Sequence, residues 1–147
     1  MCIRDSTYEG DPVDLREAEY LLELAVRQSR SPLERARAWR DHADVQLEIH
    51  GHTRAADRLD RAADSYRRAW RAALEADHEE RRASGTAVQL AARVQELRGE
   101  VLERLARPRA ALDAYRSALE LWARVGAGAE VRSEALRVRM RTLEAGL

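Results

Sequence analysis

Small and large apolar residues alternate along one helical stripe in the segment 108–125. The members of the stripe are spaced by four, three and four residues, which places them on one side of a helix: Ala111, Tyr115, Ala118 and Trp122. An alanine lets a neighbouring backbone come close, and an aromatic ring fills the space beside it. The pattern therefore predicts a helix that receives another helix along this face.

Similar stripes and end signals along the rest of the chain predict an all-α protein. Ala, Leu, Glu and Arg, all good helix formers, dominate the sequence. Ser31-Pro32 followed by Glu34 is a typical helix start, and Gly51 is predicted to end that helix. We expect one helical domain over residues 11–147, with about six antiparallel helices at 12–29, 32–50, 54–76, 78–105, 108–125 and 129–145.

Two start signals compete at the fourth helix. Asp77 with Glu80 forms one potential capping box, and Thr86 with Gln89 forms another directly after Gly85. We expect one helix from about residue 78, with a weak or bent point at Gly85, because a glycine inside a helix costs only about 1 kcal/mol relative to alanine.

The first six residues, Met1–Ser6, resemble the translated read-through of a transposon end used in sequencing libraries. On that interpretation the chain is a metagenomic fragment of a longer protein, and Cys2, the one cysteine, is not native. We expect residues 1–10 to be disordered. The excess of alanine, with arginine as the sole basic side chain besides histidine, indicates a GC-rich genome and a bacterial source.

Charge and hydropathy exclude some partners. Twenty-six basic and 26 acidic residues leave a formal net charge of zero, so the whole chain has no electrostatic attraction to nucleic acid or to anionic membranes. No apolar run approaches the ~20 residues that a membrane span needs. We therefore expect a cytoplasmic protein that binds neither nucleic acid nor membrane.

An internal repeat joins two of the predicted helices. The segment AADSYRRA at 62–69 matches ALDAYRSA at 111–118 in five of eight positions, at an offset of 49 residues. Helices of this kind cannot bury their apolar stripes alone, so their recurrence points to stacked helical hairpins.

The repeat resembles the tetratricopeptide repeat (TPR). Gly99 and Leu102, followed by Ala111, Tyr115 and Ala118, have the spacing of the family signature. Arg98 and Gln95 depart from it, the closing proline is absent, and the hairpins span about 45 residues where the family has 34. The resemblance implies a right-handed α-solenoid of long, divergent repeats. A generic antiparallel helical bundle is the alternative.

The TPR resemblance also implies a function, which is to bind an extended peptide or a partner helix in a concave groove. The groove is lined by the first helix of each hairpin, so the implied partner-binding residues of this chain are Arg37, Arg40, Asp44, Arg93, Glu96, Glu100, Glu103 and Arg104. Without the resemblance, the same residues form a mixed-charge solvated face.

The two ends of the array are a second candidate for contacts. Apolar residues there are predicted to remain exposed and to allow self-association: Leu15, Leu22 and Val26 at one end, and Val131, Val138 and Leu143 at the other.

The sequence contains few candidates for catalytic or metal-binding residues. His50 and His52 could hold a metal ion beside Glu48, but histidines at the end of a helix are explained by the helix dipole. No phosphate-binding loop, activated serine or activated cysteine is recognisable. We therefore expect no enzyme activity, no cofactor and no metal. Two classes stay open: a protein-interaction scaffold, or an all-α segment of a multidomain transcription regulator or enzyme whose active domain lies elsewhere.

Overall fold

The protein is all-α, and no strand occurs among the residues that the structure describes. The computed structural model describes residues 12–79 and 85–147, with side chains from Asp14 onward. The predictions for residues 1–10, for Cys2 and for Glu80 as a capping residue lie outside the described residues. The residues described form six helices: α1 (Pro12–Gln28), α2 (Pro32–Thr53), α3 (Asp57–Glu79), α4 (Thr86–Arg104), α5 (Pro108–Val125) and α6 (Glu130–Ala145).

Local capping chemistry explains where α2 begins, as the sequence predicted. The Ser31 hydroxyl accepts a hydrogen bond from the backbone N–H of Glu34 at 3.1 Å, and Pro32 lies in the first turn. The Glu34 carboxylate in turn accepts from the backbone N–H of Arg30 at 3.1 Å. Both side chains therefore satisfy N–H groups around the start of this helix.

Predicted boundaries of three helices are wrong. The third helix, expected at 54–76, spans Asp57–Glu79. Gly51 does not end α2, which continues to Thr53 and is closed by Arg54 in the left-handed conformation, with its N–H bonded to the His50 carbonyl at 2.7 Å. The fourth helix begins at Thr86 and not at residue 78, because Gly85 has a φ of +82° and so cannot continue a right-handed helix. His78 belongs to the last turn of α3.

The turn between α4 and α5 is a Schellman motif built on an alanine. Ala106 has a φ of +58°, and its N–H donates to the Glu103 carbonyl at 2.9 Å. The N–H of Arg107 donates to the Leu102 carbonyl, also at 2.9 Å. These two bonds satisfy the free carbonyls at the end of α4, and Pro108 then starts α5 at once.

Each helix packs mainly against its neighbours in sequence, and α2 also contacts α4. The main core runs from α2 to α6 and is rich in alanine, with two fully buried tyrosines at its centre, Tyr66 and Tyr115. A smaller cluster joins α1 to α2 through Leu15, Val45 and Ile49. The stripe on α5 is buried as predicted, with Ala111, Ala118 and Trp122 no more than 7% exposed.

The tightest contact between α4 and α5 depends on the absence of a side chain. A Cβ atom placed on Gly99 would lie 2.7 Å from Cδ1 and 2.8 Å from Cζ of the Tyr115 ring. Carbon atoms in contact normally lie about 3.5–4.0 Å apart. Gly99 is therefore the position that lets this ring lie against the backbone of α4.

The predicted apolar ends are confirmed in part. Val131 and Val138 on α6 are 82% and 48% exposed, whereas Leu143 is half-buried. The prediction fails for Leu15 on α1, which is completely buried because it packs against α2. Leu22 and Val26 are half-buried as well, so the outer face of α1 instead presents Tyr20 and Leu21.

Candidate interaction surface

Charged residues of α2 and α4 come near one another around Asp44. The carboxyl group of Asp44 on α2 lies within the electrostatic reach of Arg40 and of Arg93 on α4. Desolvation and the neighbouring Asp41 nevertheless raise the pKa of Asp44. The charged face is the set of the eight predicted residues of α2 and α4 together with two arginines of α6: Arg37, Arg40, Asp44, Arg93, Glu96, Glu100, Glu103, Arg104, Arg132 and Arg139.

The charged face extends from α4 to α6. Arg139 lies on α6, and its guanidinium interacts with the carboxylates of Glu100 and Glu103 on α4. The hydrogen bond that Arg139 donates to Glu103 is the main reason that the pKa of Arg139 is raised. At the other side, Nη2 of Arg104 lies 3.3 Å from Nδ1 of His50 and links α4 to α2. Charged side chains therefore form a continuous row across α2, α4 and α6.

The eight predicted residues differ in accessibility. Arg37, Asp44 and Arg104 are exposed, and a half-buried group comprises Arg40, Arg93, Glu100 and Glu103. Glu96 is only 7% exposed. The residues that a partner can reach most easily are thus a subset of the predicted set.

Glu96 is used inside the protein. Its carboxylate accepts a hydrogen bond from the indole N–H of Trp122 on α5 and forms an ion pair with Arg93 at 3.1 Å. Arg132 of α6 approaches the same carboxylate to 3.5 Å, and its guanidinium carbon lies 5.1 Å from the centre of the Trp122 ring. A buried carboxylate needs such partners, so Glu96 joins three helices.

Glu103 repeats this arrangement two turns further along α4. Its carboxylate accepts from the Tyr115 hydroxyl of α5 and from Nε of Arg139 at 2.8 Å. Arg139 also lies over the Tyr115 ring, 5.7 Å from its centre. The two sites are seven residues apart on every helix, so the three helices are joined by two equivalent sets, each of a glutamate, an aromatic ring and an arginine.

The repeated tyrosines each donate to a carboxylate on the preceding helix, 22 residues before Tyr66 and 12 residues before Tyr115. Tyr66 on α3 donates its hydroxyl hydrogen bond to Asp44 on α2, as Tyr115 on α5 donates to Glu103 on α4. Desolvation and the carboxylate acceptor raise the pKa of both phenols. The 49-residue repeat in the sequence therefore corresponds to a repeated contact in the structure.

A second polar site, which the sequence analysis missed, lies in a cleft between α1, α2 and α3. Nδ1 of His42 lies 2.8 Å from the Ser65 hydroxyl, and Nε2 lies 3.2 Å from a carboxylate oxygen of Glu23. The cleft has a volume of roughly 480 Å³, and Trp39 forms part of its wall. The available signal was the polar pair His42 and Gln46 on the buried side of α2.

Ser65, His42 and Glu23 are hydrogen-bonded in a row in this cleft, but this arrangement does not support nucleophilic catalysis. Ser65 lies inside α3 and is 2% exposed. The backbone N–H groups around it are engaged in helical hydrogen bonds, so they are not free to stabilise an oxyanion.

Comparison with known proteins identifies no relative. No family model matches the chain, and no curated protein or solved structure matches it. Among the described residues, no helix combines the length and apolar character that crossing a membrane requires.

Proposed function

We propose that this chain is a protein-interaction scaffold of the TPR type, which binds a peptide or a partner helix on the charged face. The observation that carries the proposal is the continuity of that face across α2 and α4, the first helices of two successive hairpins, and α6 beside them. Packing between neighbours in sequence, with the added contact between α2 and α4, supports stacked helical hairpins, and the TPR resemblance implies that the stack is a right-handed solenoid.

The structure changes which residues we assign to the partner. Glu96 and Glu103 hold α6 in place, so their replacement would disturb the fold together with any binding. Arg37, Glu100 and Arg104 offer charges of both signs at half-buried or exposed positions. The bond of Arg104 to His50 is exposed, and Glu100 acts on Arg139 through space, so both can be replaced with less effect on the fold. We propose that Arg37, Glu100 and Arg104 bind a partner segment of mixed charge, with the arginines pairing to its carboxylates.

Selection from a library of random peptides displayed on phage tests this proposal. The selected peptides are titrated into the wild type, a face variant (Arg37→Glu, Glu100→Arg, Arg104→Glu) and a control variant (Arg71→Glu, Arg109→Glu, Glu120→Arg). The control carries the same change in charge at exposed positions of α3 and α5. We expect at least a tenfold loss of affinity in the face variant and none in the control.

Two outcomes would reject the scaffold proposal. One is a selection that yields no peptide with saturable binding. The other is equal binding of the peptides to both variants, because binding would then not involve the charged face.

A further inference from the structure

Three metal-ligand side chains from two helices converge beside the cleft. Glu19 and Glu23 are one turn apart on α1, and His42 projects from α2. Taking one ligand atom from each residue, all three atoms lie within 4.8 Å of one another. Nε2 of His42 and the nearest carboxylate oxygen of Glu23 are 3.2 Å apart, close to the separation of two ligands on one tetrahedral zinc ion.

The histidine is oriented as a metal ligand requires. It is 6% exposed, and its Nδ1 is held at 2.8 Å by the Ser65 hydroxyl of α3. A histidine that binds a metal through one ring nitrogen commonly hydrogen-bonds through the other, which fixes the ring. Ser65 therefore directs Nε2 toward the two glutamates.

The first glutamate is supported in the same way. Nη1 of Arg58 lies 2.7 Å from Oε2 of Glu19 and 2.9 Å from Oε1 of Gln46, and Arg58 itself is largely buried. This arginine holds the Glu19 carboxylate toward α2. Its positive charge opposes that of a bound cation, so the site should bind a divalent cation with moderate affinity only. Arg61 is more distant, at 3.9 Å.

The amide of Gln46, a fully buried side chain, lies between Glu19 and His42. Its Nε2 donates to Glu19 and lies 3.5 Å from Nε2 of His42. A cation at this position would replace the amide N–H as the partner of Glu19 and His42, and its binding requires the Gln46 side chain to change rotamer. Glu23, which is 46% exposed, borders the cleft and leaves a path for the ion and for a water ligand.

We propose that Glu19, Glu23 and His42 bind a zinc ion. One imidazole nitrogen and two carboxylate oxygens, with water in the fourth position, form a ligand set that zinc accepts. Calcium and magnesium favour oxygen ligands alone and higher coordination numbers. The site is on α1 and α2, separate from the charged face, so it does not depend on the proposed scaffold function.

Calorimetric titration of the whole chain with zinc tests the proposal. We expect one saturable site in the wild type, no such site in His42→Gln, and at least a tenfold loss of affinity in Glu23→Gln. Ser65→Ala removes a positioning residue and should weaken binding roughly tenfold. His78→Gln is the matched control, since this exposed histidine lies in the last turn of α3, thirteen residues beyond Ser65, and it should bind zinc like the wild type.

Cobalt absorption keeps the test independent of folding defects. The visible spectrum of added Co²⁺ should show the intense bands of tetrahedral coordination in the wild type and lose them in His42→Gln, with circular dichroism checking that the variant is folded. If His42→Gln is unfolded, Glu23→Gln, which can still hydrogen-bond to His42, provides the same comparison. Absence of saturable zinc binding in the wild type, or binding by a folded His42→Gln at wild-type affinity, would overturn the proposal.

Discussion

Replacing Gly99 by alanine should destabilise the protein although alanine is the better helix former. The new Cβ would lie 2.7 Å from Cδ1 of Tyr115, about 1 Å inside a normal carbon–carbon contact. The ring cannot retreat easily, because its hydroxyl is bonded to Glu103 and Arg139 lies against its face. We therefore expect an overpacking cost near the top of the usual range, about 3 kcal/mol.

The intrinsic preference of the helix opposes this cost. Alanine in place of glycine inside a helix gains about 1 kcal/mol, so the net loss of unfolding free energy in Gly99→Ala should be about 2 kcal/mol. In a Tyr115→Ala background the clash is gone, and the same change should stabilise by about 1 kcal/mol. The presence of the Tyr115 ring thus decides whether Gly99→Ala lowers or raises the free energy of unfolding.

Urea denaturation followed by circular dichroism measures all four members of this mutant cycle. Gly51→Ala is the control, because Gly51 is also helical but a Cβ added there would have no neighbouring atom within 4 Å; it should stabilise by up to about 1 kcal/mol. If Gly99→Ala stabilises the wild type as Gly51→Ala does, the close contact between α4 and α5 is absent.

Other changes test the remaining parts of the fold by the same denaturation assay. Tyr115→Ala should cost about 3 kcal/mol or more and Ala118→Arg at least as much, because both disrupt the buried face of α5; unchanged midpoints would show that face to be exposed. Ala106→Gly should stabilise by about 1 kcal/mol, since glycine relieves the positive φ, and a loss would contradict the assigned turn. Arg139→Ala should cost roughly 1 kcal/mol through its half-exposed ion pair and ring contact; no change would show that it does not hold α6. Because desolvation and Glu103 raise the pKa of Tyr115, Tyr115→Phe should leave the phenolate absorbance that develops around pH 10 unchanged in the folded chain.

The helices could be predicted because their signals are local. The Ser31-Pro32 start and the apolar stripe on α5 depend on residues one or two turns apart, and both are found in the structure. The wrong helix boundaries at Gly51 and Gly85 also concern local signals. At each glycine, a signal to end the helix competed with a signal to continue it. A glycine is tolerated in a helix or ends it, and only its φ distinguishes the two cases.

The candidate sites could be predicted only in outline. The TPR resemblance placed Glu96 and Glu103 on the first-helix face of a hairpin, but their partners Arg132 and Arg139 are 36 residues further along the chain. No local pattern indicates that α6 lies beside α4, or that two arginines seven residues apart on α6 face two glutamates seven residues apart on α4. The cluster around His42 was missed for the same reason, because its members come from three helices.

The arginine side chains allow the most direct measurement of the central proposal. Every basic residue other than histidine is an arginine, so the Nε–H signals in a nitrogen-15 NMR spectrum report on both sides of the array, with assignment by single Arg→Lys variants. If the charged face binds the partner, titration with a selected peptide should shift the Nε–H signals of Arg37 and Arg104. The signals of Arg71 and Arg109 should not move. Shifts confined to Arg71 and Arg109 would contradict the proposal, because the peptide would then lie on α3 and α5.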